Sequence, residues 1–268
     1  GIDIPKGTFV EFSMTSAMGL LNGGGVEFVP DFSMEDTLLT LEKRFLDNGF
    51  LSHMRVPIVV KGEVAAVLSI GSKKAGIFKR DDLATLENLA NQIGIALENT
   101  RLFTDLQELF LNIVRVLSNT IDTKSRWTMG HSERVTNYAM LIGKDMGFDD
   151  RVLEDLRIAG LLHDIGKIGT YDVILDKPGR LDDEERKKVM EHPGRGAELL
   201  EPIKQFKEIS RWVKYHHEWY DGSGYPEGLK GEEIPLQARI LAVADTFDSM
   251  TAERPYRPTP GWDRALDE

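Results

Sequence analysis

Apolar and polar positions recur with different periods along the chain, and the changes of period divide it. Arg55-Val-Pro-Ile-Val-Val60 and Val64-Ala-Ala-Val-Leu-Ser-Ile70 are β-branched runs separated by Lys61-Gly62-Glu63, which predicts a hairpin. Phe78-Lys-Arg-Asp-Asp82 then opens a helix, with Asp81 as the expected N-cap before Leu83. Leu86, Leu89, Ile93 and Ala96 alternate three and four apart, and Leu102, Leu106, Leu109, Ile113 and Val116 resume the alternation after a skip. No proline interrupts before Ile121 and Gly94 is the only glycine, so one long helix is expected. Its seam suits a parallel helical dimer joining two domains, with a stutter near Glu98. The same seam also fits one long helix packed on its own domain.

From Lys124 onward the pattern is of helices with short loops. Arg151 to His163 carries Leu153, Leu156, Ala159 and Leu162 three apart, and Asp182-Asp-Glu-Glu185 reads as a capping box. Glu208 to Tyr220 and Leu236 to Met250 complete the set. The expected architecture is multi-domain: a mixed α/β domain over residues 1–100, a linking helix over 101–121, and an all-α domain over 122–268.

A chain of 268 residues with 41% hydrophobic content can fill two medium cores. The longest apolar stretches, Val56 to Val60 and Val64 to Ile70, are broken by Lys61, Gly62 and Glu63, and nothing approaches the ~18 residues of a membrane span. No basic region followed by an apolar run opens the chain, so no signal peptide is expected and cytoplasm is the default. The absence of cysteine excludes disulfides and thiolate metal sites. The formal charge of −11 makes nucleic acid a poor partner for the overall field. A phosphodiester substrate would have to be drawn in locally, by metal ions and a few placed Lys and Arg.

Five of the six histidines lie between His131 and His217, and Asp245 follows. His163-Asp164 adjoin on a helix, where neighbours point about 100° apart, so an imidazole can hold one metal while the carboxylate bridges to a second. A histidine at a helix C-terminus before Gly166 is the plainer reading. Asp245 shares a face with Ala238, Leu241 and Ala242, and a carboxylate there is costly to bury unless paired or metal-bound. His216-His217 emerge from the apolar face of Ile209 and Val213. His192 before Pro193 would be an ordinary helix cap on its own, and His131 is unremarkable alone. His53, with no partners nearby in sequence, is expected to be structural. Together, imidazoles and carboxylates without thiolate suit Fe, Mn or Zn, and paired ions are a recurrent means of hydrolysing phosphodiesters.

His163-Asp164-Ile-Gly-Lys167, His216-His217-Glu218 and Asp221-Gly-Ser-Gly-Tyr-Pro226, in that order, resemble the HD-GYP subgroup of the HD phosphohydrolase superfamily over about Thr120 to Pro260. The resemblance implies an all-helical domain that hydrolyses cyclic di-GMP to the linear dinucleotide and in some members onward to GMP, with some relatives preferring cyclic GMP-AMP. It implies that His131, His163, Asp164 and Asp245 hold one metal, and that Asp164 bridges to a second held by His192, His216 and His217, with iron or manganese foremost. Lys167 would contact the scissile phosphate beside Asp164, Tyr225 would shape the guanine pocket, and Arg254 and Arg257 would grip phosphates. Glu218, Asp221 and Asp248 would orient ligands by hydrogen bonds. Gly222 and Gly224 would allow a tight loop beside the substrate. Members with three metals carry a glutamate where this chain has Trp127, so two ions are expected.

Met18-Gly-Leu-Leu21, Arg55-Val-Pro-Ile58, Gly62 to Ile70 and Leu89 to Asn99 resemble a GAF sensory domain, which implies an unidentified small ligand. The resemblances also imply that the opening of the GAF-like domain and the last helix of the HD-GYP domain lie outside the sequence. The leading expectation is a homodimeric, sensor-regulated cyclic di-GMP phosphodiesterase. Its rivals are a cyclic-dinucleotide receptor that turns over slowly, with Trp127 narrowing the entrance, and an HD hydrolase of another phosphate ester.

Overall fold

The structure, a computed structural model, describes residues 25–34, 40–124, 129–169, 177, 181–252 and 262–267. The segment Met18–Leu21 and the positions Trp127, Arg254 and Arg257 lie outside the described residues. The chain forms two compact units, residues 1–107 and 108–268, and the boundary falls within one helix.

In the first unit, β1 (Glu27–Val29), β2 (Ser52–Val60) and β3 (Glu63–Ser72) form an antiparallel sheet in the order β1-β2-β3, with α1 (Thr40–Asp47) between β1 and β2 in sequence. The expected hairpin is present but tighter: Glu63 pairs with Val60, leaving Lys61-Gly62 as the turn, and a bulge falls between Ile58 and Val59. Met54, Val56 and Ile58, two apart on β2, join Leu86 and Ala90 in the core.

Leu86 and Ala90 belong to α2 (Arg80–Asp122), a continuous helix of 43 residues. The long helix is as expected, but its start differs. Asp81 lies inside the first turn, and it is Asp82 whose carboxylate accepts the Lys79 amide at 2.7 Å. Leu86 is 2% exposed in its own unit's core and Ile93 packs against that core, whereas Leu89, 50% exposed, does not share it. Gly94 has a packing reason: a Cβ there would press on the Val59 carbonyl oxygen. His53 is not isolated either. Its Nε2 lies 3.4 Å from Glu27 Oε2, and its ring stands edge-on to Phe32.

The second unit is helical. Val114 and Ile121 of α2 join a core made by α3 (His131–Asp145), α4 (Asp150–Leu162), α6 (His192–Leu200), α7 (Lys207–Tyr215) and α8 (Leu236–Thr251). α5 (Asp183–Met190) and α9 (Trp262–Asp267) lie outside it. α4 starts where Asp149 accepts the Val152 amide, and α5 where Asp182 and Glu185 form the expected capping box. α7 ends at Tyr215, five residues before the expected Tyr220, because the chain turns into the loop that follows His216-His217. Val135, Ala139, Leu156, Ile209, Val213, Ala238 and Leu241 belong to one core, and they fix the axes of four of the five helices that carry the histidines and Asp245.

Leu241, fully buried one turn before Asp245, reports on that core. Leu241→Ala is expected to cost about 2–5 kcal/mol by the cavity it leaves. A denaturant melt of the full chain checks this; a loss below 1 kcal/mol would mean that α8 is not held by this contact.

Candidate metal centre

The site is assembled from the ends of helices. His131 opens α3, His163 and Asp164 follow α4, His192 opens α6, His216 and His217 follow α7, and Asp245 lies within α8. A 3-10 turn, Ile165–Gly169, continues from Asp164 and packs on α6. Gly166 permits this approach, because a Cβ there would fall on the His192 carbonyl oxygen.

Three imidazoles are held the same way. Nδ1 of His163, His192 and His216 lies 2.7, 2.7 and 2.6 Å from the carbonyl oxygen three residues upstream, of Gly160, Val189 and Val213. A carbonyl only accepts, so Nδ1 carries the ring proton and Nε2 presents a lone pair. All three Nε2 atoms are buried without a hydrogen-bond partner. Nε2 of His192 is 3.2 Å from Asp164 Oδ1 and that of His163 is 3.5 Å from Asp164 Oδ2. With the ring protons on Nδ1 these contacts set acceptor against acceptor, and no hydrogen joins them. A cation between them satisfies both sides.

His131 differs. Its Nδ1 meets Asp248 Oδ2 at 2.7 Å and its Nε2 lies 3.3 Å from Asp245 Oδ1. Burial disfavours its charge, but the bonds to Asp245 and Asp248 outweigh this and raise its pKa to about 9. Asp248 is in turn gripped by Arg134, Nε to Oδ1 at 2.6 Å and Nη2 to Oδ2 at 3.0 Å. Arg134 is a functional residue the sequence reading missed. Its place one turn after His131, as Asp248 stands one turn after Asp245, was the available signal. Burial lowers His163 and His216, and lowers His217 to about 3. Burial would also raise Asp164, but Lys167, His163 and His192 hold it well below the ordinary carboxylate range.

Ligand atoms of His131, His163 and Asp245 lie within 4.8 Å of one another, as do those of His192, His216 and His217, and those of His163, Asp164 and His216. Asp164 thus stands between two sets. The donors are imidazole nitrogens and carboxylate oxygens, the buried nitrogens lack any other partner, and the set fits divalent metal ions.

The remaining expected residues are placed as follows. Lys167 Nζ is paired with Asp164 Oδ2. Tyr225 stacks on His217 with ring centroids 4.8 Å apart. Of the three acids expected to orient ligands, only Asp248 hydrogen-bonds one of the seven residues among the described contacts. Glu218 instead accepts the amides of Glu227, Gly228 and Leu229 at 2.7, 3.0 and 3.0 Å, pinning the loop that carries Tyr225. Asp221 binds the amide and hydroxyl of Ser223 within that loop. Gly224 lies where a side chain would strike the Trp219 backbone.

Residues 115–268 match the HD domain family model, and the chain belongs to that family. Residues 23–98 match a GAF domain model, so a GAF domain precedes a helical HD domain, as the sequence led one to expect. The chain is 46% identical to 3'3'-cGAMP-specific phosphodiesterase 3 of Vibrio cholerae over 58% of its own length and 34% of that protein's. It is 40% identical to the cyclic di-GMP phosphodiesterase response regulator RpfG of Xanthomonas campestris pv. campestris, over 56% of this chain and 40% of that one. To a cyclic di-GMP phosphodiesterase of Thermotoga maritima it is 40% identical, over 59% and 44% respectively. The chain spans about a third to a half of the length of the curated relatives it matches. No helix among the described residues is long and apolar enough to cross a membrane.

Two outcomes follow from the ionisation of the site. Burial holds His216 and His217 neutral in the folded metal-free protein and makes His163 harder to protonate, whereas all three protonate near the ordinary 6.5 when unfolded. The unfolded state therefore binds more protons below that pH, and stability falls on acidification. His131 has the opposite sign: its contribution is full below about 6.5 and is lost as pH rises through about 9. The metal-free chain is expected to melt at lower temperature at pH 5 than at pH 6.5, and metal uptake at pH 7 to release about one proton, from His131. Calorimetry in buffers of different ionisation enthalpy measures the release; a higher melting temperature at pH 5 would contradict the burial of neutral imidazoles. Separately, Glu218→Gln is expected to cost about 2 kcal/mol, since one carboxamide oxygen cannot serve three amides. Hydrogen exchange at residues 227–229 should quicken; unchanged protection there would refute the anchoring role.

Proposed function

We propose that this protein is a metal-dependent phosphodiesterase that hydrolyses cyclic di-GMP, with linear pGpG as first product and GMP beyond it. The observation that carries the reading is the pair of ligand sets on either side of Asp164, with three buried imidazole nitrogens that have no other partner. The names of the relatives point to the same substrate class. In this reading His131, His163, Asp164 and Asp245 bind one ion and His192, His216 and His217, with Asp164, a second. The donor set favours iron or manganese. What the ions supply when bound is Lewis-acid stabilisation of charge on the phosphoryl oxygens and a lower pKa for water.

The chain's own groups do the rest. Asp164 offers an oxygen to each set and is the one carboxylate both can share. Lys167, paired with Asp164 and partly exposed, offers Nζ as a hydrogen-bond donor beside the place where phosphate charge must be met. Tyr225, raised by burial, keeps its phenol proton at neutral pH and offers a donor and an aromatic face to the base. Arg254 and Arg257 complete the grip on the phosphates. The domains run over residues 1–100, 101–121 and 122–268, with the GAF-like domain as sensor of a small ligand. Residues 101–121 pair with a second copy, which is supported by Leu102, Leu106, Leu109, Ile113 and Val116 standing about half exposed or more on α2.

A second reading, 3'3'-cyclic GMP-AMP as preferred substrate, is favoured by the name of the relative at 46% identity. Incubation of the manganese-loaded chain with each dinucleotide, and separation of products, tests both. Linear product from cyclic di-GMP is expected, with Asp164→Ala slower by at least about 100-fold. Tight binding with unchanged substrate would make the protein a receptor, and turnover confined to the mixed dinucleotide would establish the second reading. One residue inserted after Gln107 rotates the helix by about 100° and is expected to alter activity; an unchanged rate and unchanged dimer would end the idea of signalling through helix register.

A further inference from the structure

The long helix ends against the metal centre. Asp122, the last residue of α2, is 2% exposed, and its carboxylate reaches the first turn of α3. Oδ1 accepts the Ser132 hydroxyl at 2.7 Å and Oδ2 the Ser132 amide at 3.2 Å. Ser132 is 1% exposed and is the neighbour of His131. The first amides of a helix need acceptors, and the residue before α3, Gly130, has no side chain to offer one. The cap is therefore supplied from another helix, across the segment 123–130. Two residues further on, Lys124 Nζ donates to the Ile168 carbonyl at 3.1 Å, beside Lys167 in the turn that follows Asp164. The end of α2 thus touches both segments that lead into the ligand sets.

We propose that Asp122 is a positioning residue for His131, tying the last turn of α2 to the first turn of α3 so that a displacement of α2 is passed to that imidazole. This rests on the reading of His131 as a metal ligand. The bond geometry gives it direction. His131 is fixed on one side by Asp248 of α8, which Arg134 of α3 grips in turn. On the other side it is fixed through Ser132 by Asp122, which belongs to the helix that begins at Arg80 in the first unit. A shift of α2 along or about its axis pulls the first turn of α3 away from the position Asp248 holds. The two Asp122 bonds to Ser132 act on the turn that carries His131, so the ion that uses His131 should feel their loss most.

The test compares the full-length wild type with Asp122→Ala and Ser132→Ala. Manganese is titrated calorimetrically into each metal-free protein, and the histidine ring resonances of those proteins are recorded by NMR. The expected result is about 10-fold weaker binding in one of two events, with the other changed by less than about twofold. The His131 ring resonances should move while those of His192 and His217 stay. Asp122→Asn, which keeps one acceptor oxygen, should restore part of the loss. Unchanged affinities and ring resonances would overturn the proposal. So would equal weakening of both events with a lower melting temperature, which would make Asp122 a structural cap only. Should Asp122→Ala fail to fold, Ser132→Ala keeps the backbone amide bond and carries the same comparison. Should the wild type take up no manganese, the metal-centre reading fails, and the ring resonances of the metal-free proteins still decide whether Asp122 positions His131.

Discussion

The arrangement depends on one repeated interaction, a histidine Nδ1–H given to the backbone carbonyl three residues before it. In His163, His192 and His216 this bond uses up the only ring proton and turns Nε2, as a bare lone pair, into a buried cleft. Leaving such an atom unpaired costs about 1–3 kcal/mol, and three together amount to a large part of a domain's net stability. Core histidines with satisfied rings would carry no such cost. Three of them converging on Asp164 are a structure prepared for cations.

Everything nearby serves to hold that preparation. Six of the seven ligands sit at helix ends and Asp245 sits within α8, and the Leu156, Val213 and Leu241 core sets the axes of the helices α4, α7 and α8. Arg134 and Asp248 fix the fourth histidine from the side, and Glu218 fixes the Tyr225 loop through three amides. Under the proposed function, an acidic chain that repels a phosphodiester at long range would bind one here through the positive charge that metal ions and Lys167 bring to one place.

What was legible in the sequence was local. The β2–β3 hairpin, the Asp182–Glu185 capping box and the continuity of α2 follow from spacing within a few residues. The seven histidine and aspartate positions stood out by type and order, and the fold brings their donor atoms together. What was not legible involves distance or choice of partner. The contacts that join His131 and Arg134 to Asp248 span 117 and 114 residues. His53 finds Glu27 only because β1 and β2 pair with Val29 opposite His53, which places Glu27 nearby on the next strand. The period that carries Leu86 is the same whether a helix meets a partner or its own sheet, and here the sheet takes it. For Glu218, no pattern tells a carboxylate whether to serve an imidazole or a run of amides.

The central claim is that five imidazoles and two carboxylates hold two cations with Asp164 in common. Anomalous diffraction at the manganese and iron edges, from crystals of the metal-loaded protein, tests it most directly. Two peaks are expected, one against His131, His163 and Asp245, the other against His192, His216 and His217, each within bonding distance of an Asp164 oxygen. A single fully occupied peak, or peaks away from these side chains, would contradict it.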